Sequence, residues 1–247
     1  MGKDVIVALD FDSAERTMEF LDLFQEEKPF VKIGLELFYS QGPDIVRRIK
    51  ARGHKVFLDV KLHDIPNQVK KAMTVLGGLS LDIVNVHAAG TIAMMKAAKE
   101  GFEEGLMNAA TQGDETGCLS KGESFLIAVT QLTSTDQETM ERDILIEKPI
   151  DQVVESYALN AKAAGLSGVV CSAQEAEKIH RICGDDFVTV TPGIRFADSE
   201  VGDQKRVMTP AEAKKVGSDY IVVGRPITQA ADPVEAYSRC VQDFLGE

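Results

Sequence analysis

The chain has 247 residues, 44% of them hydrophobic, so it can bury a sizeable core, and it carries a formal net charge of −12. That acidic balance opposes non-specific binding to nucleic acid or anionic membranes. No apolar run approaches the roughly 20 residues of a membrane span, which leaves the expectation of a soluble, cytoplasmic protein with no nucleic-acid or membrane partner.

Met1-Gly2-Lys3-Asp4 leads directly into an apolar run and lacks a signal-peptide layout, and Ile at position 6 argues against myristoylation of Gly2. From there short β-rich runs alternate with amphipathic segments. A strand at 5–9 precedes a helix at 14–24 that starts after Ser13. A strand at 30–33 precedes a helix at 44–51, with Asp44 as its start and Gly53 as its stop. Strands at 55–60 and 82–86 are each followed by a helix, at 67–76 and 92–103. The polar, weakly patterned stretch 105–123 reads as an exposed excursion before a strand at 125–129. Helices at 153–164 and 173–182 flank a strand at 168–171, and strands at 187–190 and 220–223 complete eight. Such alternation implies βαβ units and a parallel sheet. Eight strands in a chain near the usual ~250 residues favour an α/β fold with a single (β/α)8 TIM barrel spanning 1–247. Periodicity alone does not decide closure, but no GxGxxG follows the first strand to favour a dinucleotide-binding sheet. Cys118, Cys171, Cys183 and Cys240 are scattered without CxxC or matched histidines, and read as reduced thiols.

Polar residues gather at the C-terminal ends of these strands: Asp10, Lys32, Asp59 and Lys61, Asn85 and His87, Thr130, Gln131 and Thr133, Ser172, Thr191 and Arg225. In a parallel barrel those ends share one mouth, where active sites lie. Any one of them also fits a strand simply meeting water. The densest run is Asp59-Val60-Lys61-Leu62-His63-Asp64-Ile65-Pro66-Asn67. Residues two apart share a face, so Asp59 and Lys61 project together. An ordinary ion pair is the alternative, but burial makes such a pair expensive where Val or Ile would serve. Lys32, in an apolar strand, needs an anion beside it, and Asp59 would complete a Lys–Asp–Lys row. Asp64 precedes Pro66, a good first residue of a helix, and taken alone reads as a capping acid.

At the chain's end Gly224-Arg225-Pro226 follows a buried strand. Gly224 admits a ligand close to the backbone, the following helix N–H groups favour an anion, and Arg225 adds a bidentate donor. Barrels often hold phosphate here. After strand seven, Thr191-Pro192-Gly193-Ile194-Arg195 opens a polar loop through Asp203-Gln204-Lys205-Arg206 that would close over a phosphate. Lys205 and Arg206 read as solvated surface. His63 has no evident task, His87 reads as a packing residue at a strand end, and His54 and His180 read as surface residues.

Taken in order, these motifs resemble the orotidine 5′-phosphate decarboxylase family. The likeness runs from Val7-Ala8-Leu9-Asp10 through the Asp59–Asn67 run, Val86-His87-Ala88-Ala89-Gly90, Thr130-Gln131-Leu132-Thr133-Ser134 and Thr191-Pro192-Gly193-Ile194-Arg195 to Val223-Gly224-Arg225-Pro226-Ile227-Thr228. The resemblance implies a cofactor-free, metal-free homodimer with shared active sites that converts orotidine 5′-monophosphate to UMP and CO₂. Lys32, Asp59 and Lys61 would come from one subunit and Asp64 from its neighbour, with Ile65 also crossing the interface. Asp10 and Lys32 would contact the ribose, Thr133 the pyrimidine, and Arg195, Gln204, Gly224 and Arg225 the phosphate. Val60, Leu62, His63, Pro66, Asn67, Gln68 and Pro192 complete the expected substrate-binding set. Lys61 would protonate C6 after CO₂ departs. Two rivals stay open: a Mg²⁺-dependent barrel acting on a sugar phosphate, recruiting Asp10, Asp59 and Asp64, and a non-catalytic phosphometabolite-binding barrel.

Overall fold

The computed structural model describes residues 3–112, 124–197 and 207–246. Its eight strands are β1 (Asp4–Leu9), β2 (Phe30–Ile33), β3 (Val56–Leu62), β4 (Ile83–His87), β5 (Phe125–Val129), β6 (Gly168–Val170), β7 (Val188–Thr191) and β8 (Tyr220–Val223). They pair in sequence order, all parallel, and β8 returns to β1 with Val7 opposite Val223, closing the barrel.

Alternation along each strand builds two apolar layers, because successive side chains take opposite faces. Ile6, Ala8, Phe30, Phe57, Ile83 and Ile127 belong to the cluster that fills the barrel. Their neighbours Val5, Val7, Val31, Leu58 and Val84 face the surrounding helices. A parallel sheet covered on both faces needs such near-continuous apolar strands.

The helices are α1 (Ala14–Asp22), α2 (Leu35–Gln41), α3 (Asp44–Ala51), α4 (Pro66–Gly77), α5 (Thr91–Gln112), α6 (Gln137–Asp143), α7 (Ile150–Ala163), α8 (Ala176–Cys183), α9 (Pro210–Lys215), α10 (Arg225–Thr228) and α11 (Pro233–Leu245). Ser13 caps α1, its hydroxyl accepting from the Arg16 N–H at 3.4 Å. Gly53 takes φ +87° after α3, as a helix stop requires. Helices α2, α6, α9 and α11 have no counterpart among the expected segments. Of these, α2 and α6 each bury a single side chain, Leu37 and Met140 respectively, so neither leaves a periodic apolar signature.

Two expectations need correction. Residues 105–112 are not an excursion but the last two turns of α5. Gly105 there is a contact surface rather than a break: a Cβ on it would stand 2.2 Å from the Thr74 carbonyl oxygen of α4. Residues 113–123, including Cys118, lie outside the described residues. His54 is not a surface residue either; it is 2% exposed, and its Nδ1 donates to the Pro29 carbonyl at 2.9 Å. His180 is half-buried, with Nε2 3.3 Å from Asp219 Oδ2. Cys171, Cys183 and Cys240 are buried.

Candidate active site

The inward face of each strand continues, two residues further on, into the mouth. Phe30 leads to Lys32, Phe57 to Asp59, Ile83 to Asn85 and Ile127 to Val129, while Ala8 leads to Asp10 just past β1. The apolar plug of the barrel therefore carries a layer of charge directly above it.

In that layer the Lys32 ammonium lies 3.1 Å from Asp10 Oδ1 and 3.6 Å from Asp59 Oδ2. The Lys61 ammonium lies 2.7 Å from Asp59 Oδ1. The expected Lys–Asp–Lys row is thus formed within one chain, with Asp10 at its outer end. Burial pushes the Asp59 carboxyl up, but the charges of Lys32 and Lys61, with hydrogen bonds from Lys61 and Asn85, outweigh it and hold the group below the usual carboxylate range.

Strand β3 is irregular at this point. Leu58 faces Val84 and Leu62 faces Val86, so three residues of β3 stand against Asn85 alone. Lys61 takes φ +50°. Its backbone N–H donates to Asn85 Oδ1 at 2.8 Å, and Asn85 Nδ2 donates to Asp59 Oδ1 at 2.7 Å. Asn85 is the residue that sequence reasoning undervalued. It was legible as one polar residue in Ile83-Val84-Asn85-Val86, in phase with the inward Ile83.

Lys32, Asp59 and Lys61 line a cavity of about 220 Å³. Its remaining wall is largely apolar, from Phe57, Val129, Val170, Cys171 and Val222, with Gln131, Thr133, Ser134 and Pro192 also lining it. The structure so brings Thr133 and Pro192 to the cavity that holds the charged row. At the C-terminal end of β8, a Cβ on Gly224 would lie 3.6 Å from Asp10 Oδ2, which places that backbone beside the row. Arg225 opens α10. Arg195 is anchored by its backbone, whose N–H donates to the Met208 carbonyl at 3.0 Å, and by Nη1 donating to the Ile194 carbonyl at 2.8 Å. Gln204, with Asp203, Lys205 and Arg206, lies outside the described residues.

The other half of the motif points elsewhere. Val60 is buried in the outer core, and Leu62 packs against the same layer. His63, Asp64, Ile65, Pro66, Asn67 and Gln68 are exposed. Asp64 Oδ1 accepts from the Ile65 N–H at 2.6 Å, and Pro66 opens α4. His63 stacks on His87, ring centroids 5.6 Å apart. Burial, then the charges of His63 and Lys61, depress the His87 imidazole below its ordinary value. Asp64, His63 and Gln68 border a second, shallower depression of about 630 Å³ that also includes Tyr39 and Val75. Within one chain Asp64 does not line the cavity with Asp59 and Lys61. Among the described residues no three His, Cys, Asp or Glu side chains converge as metal ligands would, and no helix is long and apolar enough to cross a membrane.

Comparison with known proteins matches residues 3–240 to the family model described as orotidine 5′-phosphate decarboxylase / HUMPS family. An orotidine 5′-phosphate decarboxylase of Bacillus cytotoxicus is 52% identical over 246 residues, covering 100% of this chain and 99% of that one. A crystal structure of orotidine 5′-phosphate decarboxylase from Lactobacillus acidophilus superposes with a TM-score of 0.82 at 39% identity, over 98% of this chain and 99% of that one. That of an uncharacterized conserved protein from Geobacillus kaustophilus gives 0.81 at 44% identity, over 97% and 99%. At such identity over essentially full length, the chain belongs to the orotidine 5′-phosphate decarboxylase / HUMPS family.

Proposed function

We propose that the protein decarboxylates orotidine 5′-monophosphate to UMP, a step of pyrimidine nucleotide synthesis, without metal or organic cofactor. The observation that carries the reading is the Asp59 carboxylate, held ionised between two ammonium groups in a cavity whose remaining wall is largely apolar. With the pyrimidine in that cavity, its carboxylate faces Asp59, and the C6–carboxylate bond breaks with its electron pair left on C6. CO₂ departs toward the apolar wall. The Lys61 ammonium, fixed before the reaction begins, stabilises the carbanion and then transfers its proton to C6, recovering one from solvent. Preorganised charge of this kind is usually the largest single contribution to catalysis.

Asp10 and Lys32 then hold the ribose hydroxyls, Thr133 the base, and Arg195, Gln204, Gly224 and Arg225 the phosphate. The working unit is a homodimer in which Asp64 and Ile65 complete the neighbour's site. Support for that comes from the exposed motif half and from exposed apolar side chains around it, Tyr39 at 73%, Ile65 at 64% and Val75 at 63%. Of the two rivals, the Mg²⁺-dependent one has Asp10 and Asp59 already engaged by Lys32.

Mixing the purified protein with orotidine 5′-monophosphate, with and without EDTA, tests the proposal. Loss of the orotate absorbance at equal rates in both is expected. Chelator-sensitive turnover would point to the metal-dependent rival, and UMP binding without turnover to the non-catalytic one.

A further inference from the structure

We propose that Asn85 is a positioning residue for the reaction, one amide that fixes both the proton-donating lysine and the carboxylate facing it. This inference rests on the decarboxylase reading of the site.

Asn85 is fully buried, and its inward phase places it level with the charged row. An amide so placed is costly unless both its ends are bonded. Regular pairing between β3 and β4 stops after Leu58 and resumes at Leu62. Across the gap it is the Asn85 side-chain oxygen that accepts the Lys61 N–H, at 2.8 Å. Lys61 sits at φ +50°, a conformation that L residues rarely adopt and that persists only where its surroundings hold it. The same side chain donates to Asp59 Oδ1 at 2.7 Å, the oxygen that also receives the Lys61 ammonium. A backbone N–H only donates and an ionised carboxylate only accepts, so the orientation of the amide is determined by its two partners.

Few side chains offer both a donor and an acceptor at this reach. Asp has the acceptor but no donor when ionised, and Ser lacks the reach. A cationic donor would bond Asp59 but compete with Lys61 for its charge. The groups facing Asp59 are Lys32 from β2, Lys61 from its own strand and Asn85 from β4, with Asp10 reaching Lys32 from beyond β1. Asn85 is the neutral one among them. It therefore sets geometry without altering the charge count.

The test is steady-state kinetics on Asn85→Ala and Asn85→Asp beside the unaltered protein, with thermal melts and pH profiles. A displacement of order 1 Å at the reacting groups lowers rates roughly 100-fold. We expect N85A to lose about that much kcat with KM for orotidine 5′-monophosphate within about threefold, since ribose and phosphate contacts come from other strands. N85D keeps an acceptor for the Lys61 N–H but sets a second carboxyl against Asp59. Its kcat should fall too, with the acid limb of the pH–rate profile moved to higher pH. Failure of the unaltered protein to turn over would remove the decarboxylase reading, and this inference with it. Turnover by that protein, with wild-type kcat and an unmoved acid limb in folded N85D, would overturn the role of Asn85 alone, even if N85A fails to fold.

Discussion

At the scale of single residues, the site is a balance between a carboxylate that burial disfavours and the cations that keep it charged. Removing Lys61 should leave the fold in place, because Lys32 and Asn85 still engage Asp59. We expect Lys61→Ala to retain a wild-type circular dichroism spectrum while kcat falls by about 10³-fold or more, combining loss of the general acid with loss of the cation. An active K61A would defeat the proton-donor role. In the proposed reading Arg225 holds the phosphate, away from the breaking bond. Phosphate binding energy nonetheless serves orientation at the reacting carbon. Arg225→Ala should lower kcat/KM by about 10–100-fold, the range of one charge-assisted hydrogen bond. A third residue bears on stability alone. Thr91 takes φ 79° and ψ 160°, a region that strongly favours glycine. Its hydroxyl repays little, accepting from the Met94 N–H at 3.4 Å. Thr91→Gly should raise the urea midpoint, with a gain of about 1 kcal/mol.

At the scale of elements, the motif's second half depends on how α4 is seated, since that helix begins at Pro66, immediately after Asp64 and Ile65. Helix α5 seats it through backbone contact. A Cβ on Gly101 would lie 2.1 Å from the Lys70 carbonyl oxygen, and one on Gly105 2.2 Å from that of Thr74. Both obstacles are backbone atoms, so the helices would have to separate. Gly105→Ala should destabilise the protein by about 1–3 kcal/mol, read as a lowered melting temperature. An unchanged melting temperature would mean the two helices are not in contact there. The sequence showed the glycines but not their partner, and a glycine in a helical stretch looks the same whether it breaks a helix or lets one approach. Helix existence was otherwise readable where an apolar face repeats, as in α3 and α8, and unreadable in α2 and α6, which each bury one residue.

At the scale of the whole molecule, two consequences can be measured. The first concerns pH. Burial foremost depresses both His54 and His87 below the ordinary histidine value. Each is bound by fewer protons in the folded state than in the unfolded one as pH falls below about 6.5. Their contribution to stability is therefore complete above that pH and is lost on acidification toward their lower folded values. The denaturant midpoint should drop between pH 7 and pH 5, and less steeply in a His54→Gln/His87→Gln variant. Equal slopes would show that neither histidine is held neutral. The second concerns assembly. K61A and Asp64→Ala should each be nearly inactive, yet a mixture allowed to exchange subunits should regain activity, because one hybrid site then has both groups. No recovery on mixing, with exchange verified, would place each site within a single chain.

Much of the fold and site can be read from the sequence alone, for a local reason. Alternation of apolar residues gives strands, a period near 3.6 gives helices, and eight such units in order give the parallel class; Asp59 and Lys61 are two residues apart on one of those strands. Their sharing of a face needs no tertiary knowledge. Closure of the barrel, the approach of Lys32 from β2, and the bulge that presents Lys61 to Asn85 were decided only in three dimensions. Each depends on which backbone stands beside which, and register between strands distant in the chain leaves no trace in the residues of either one.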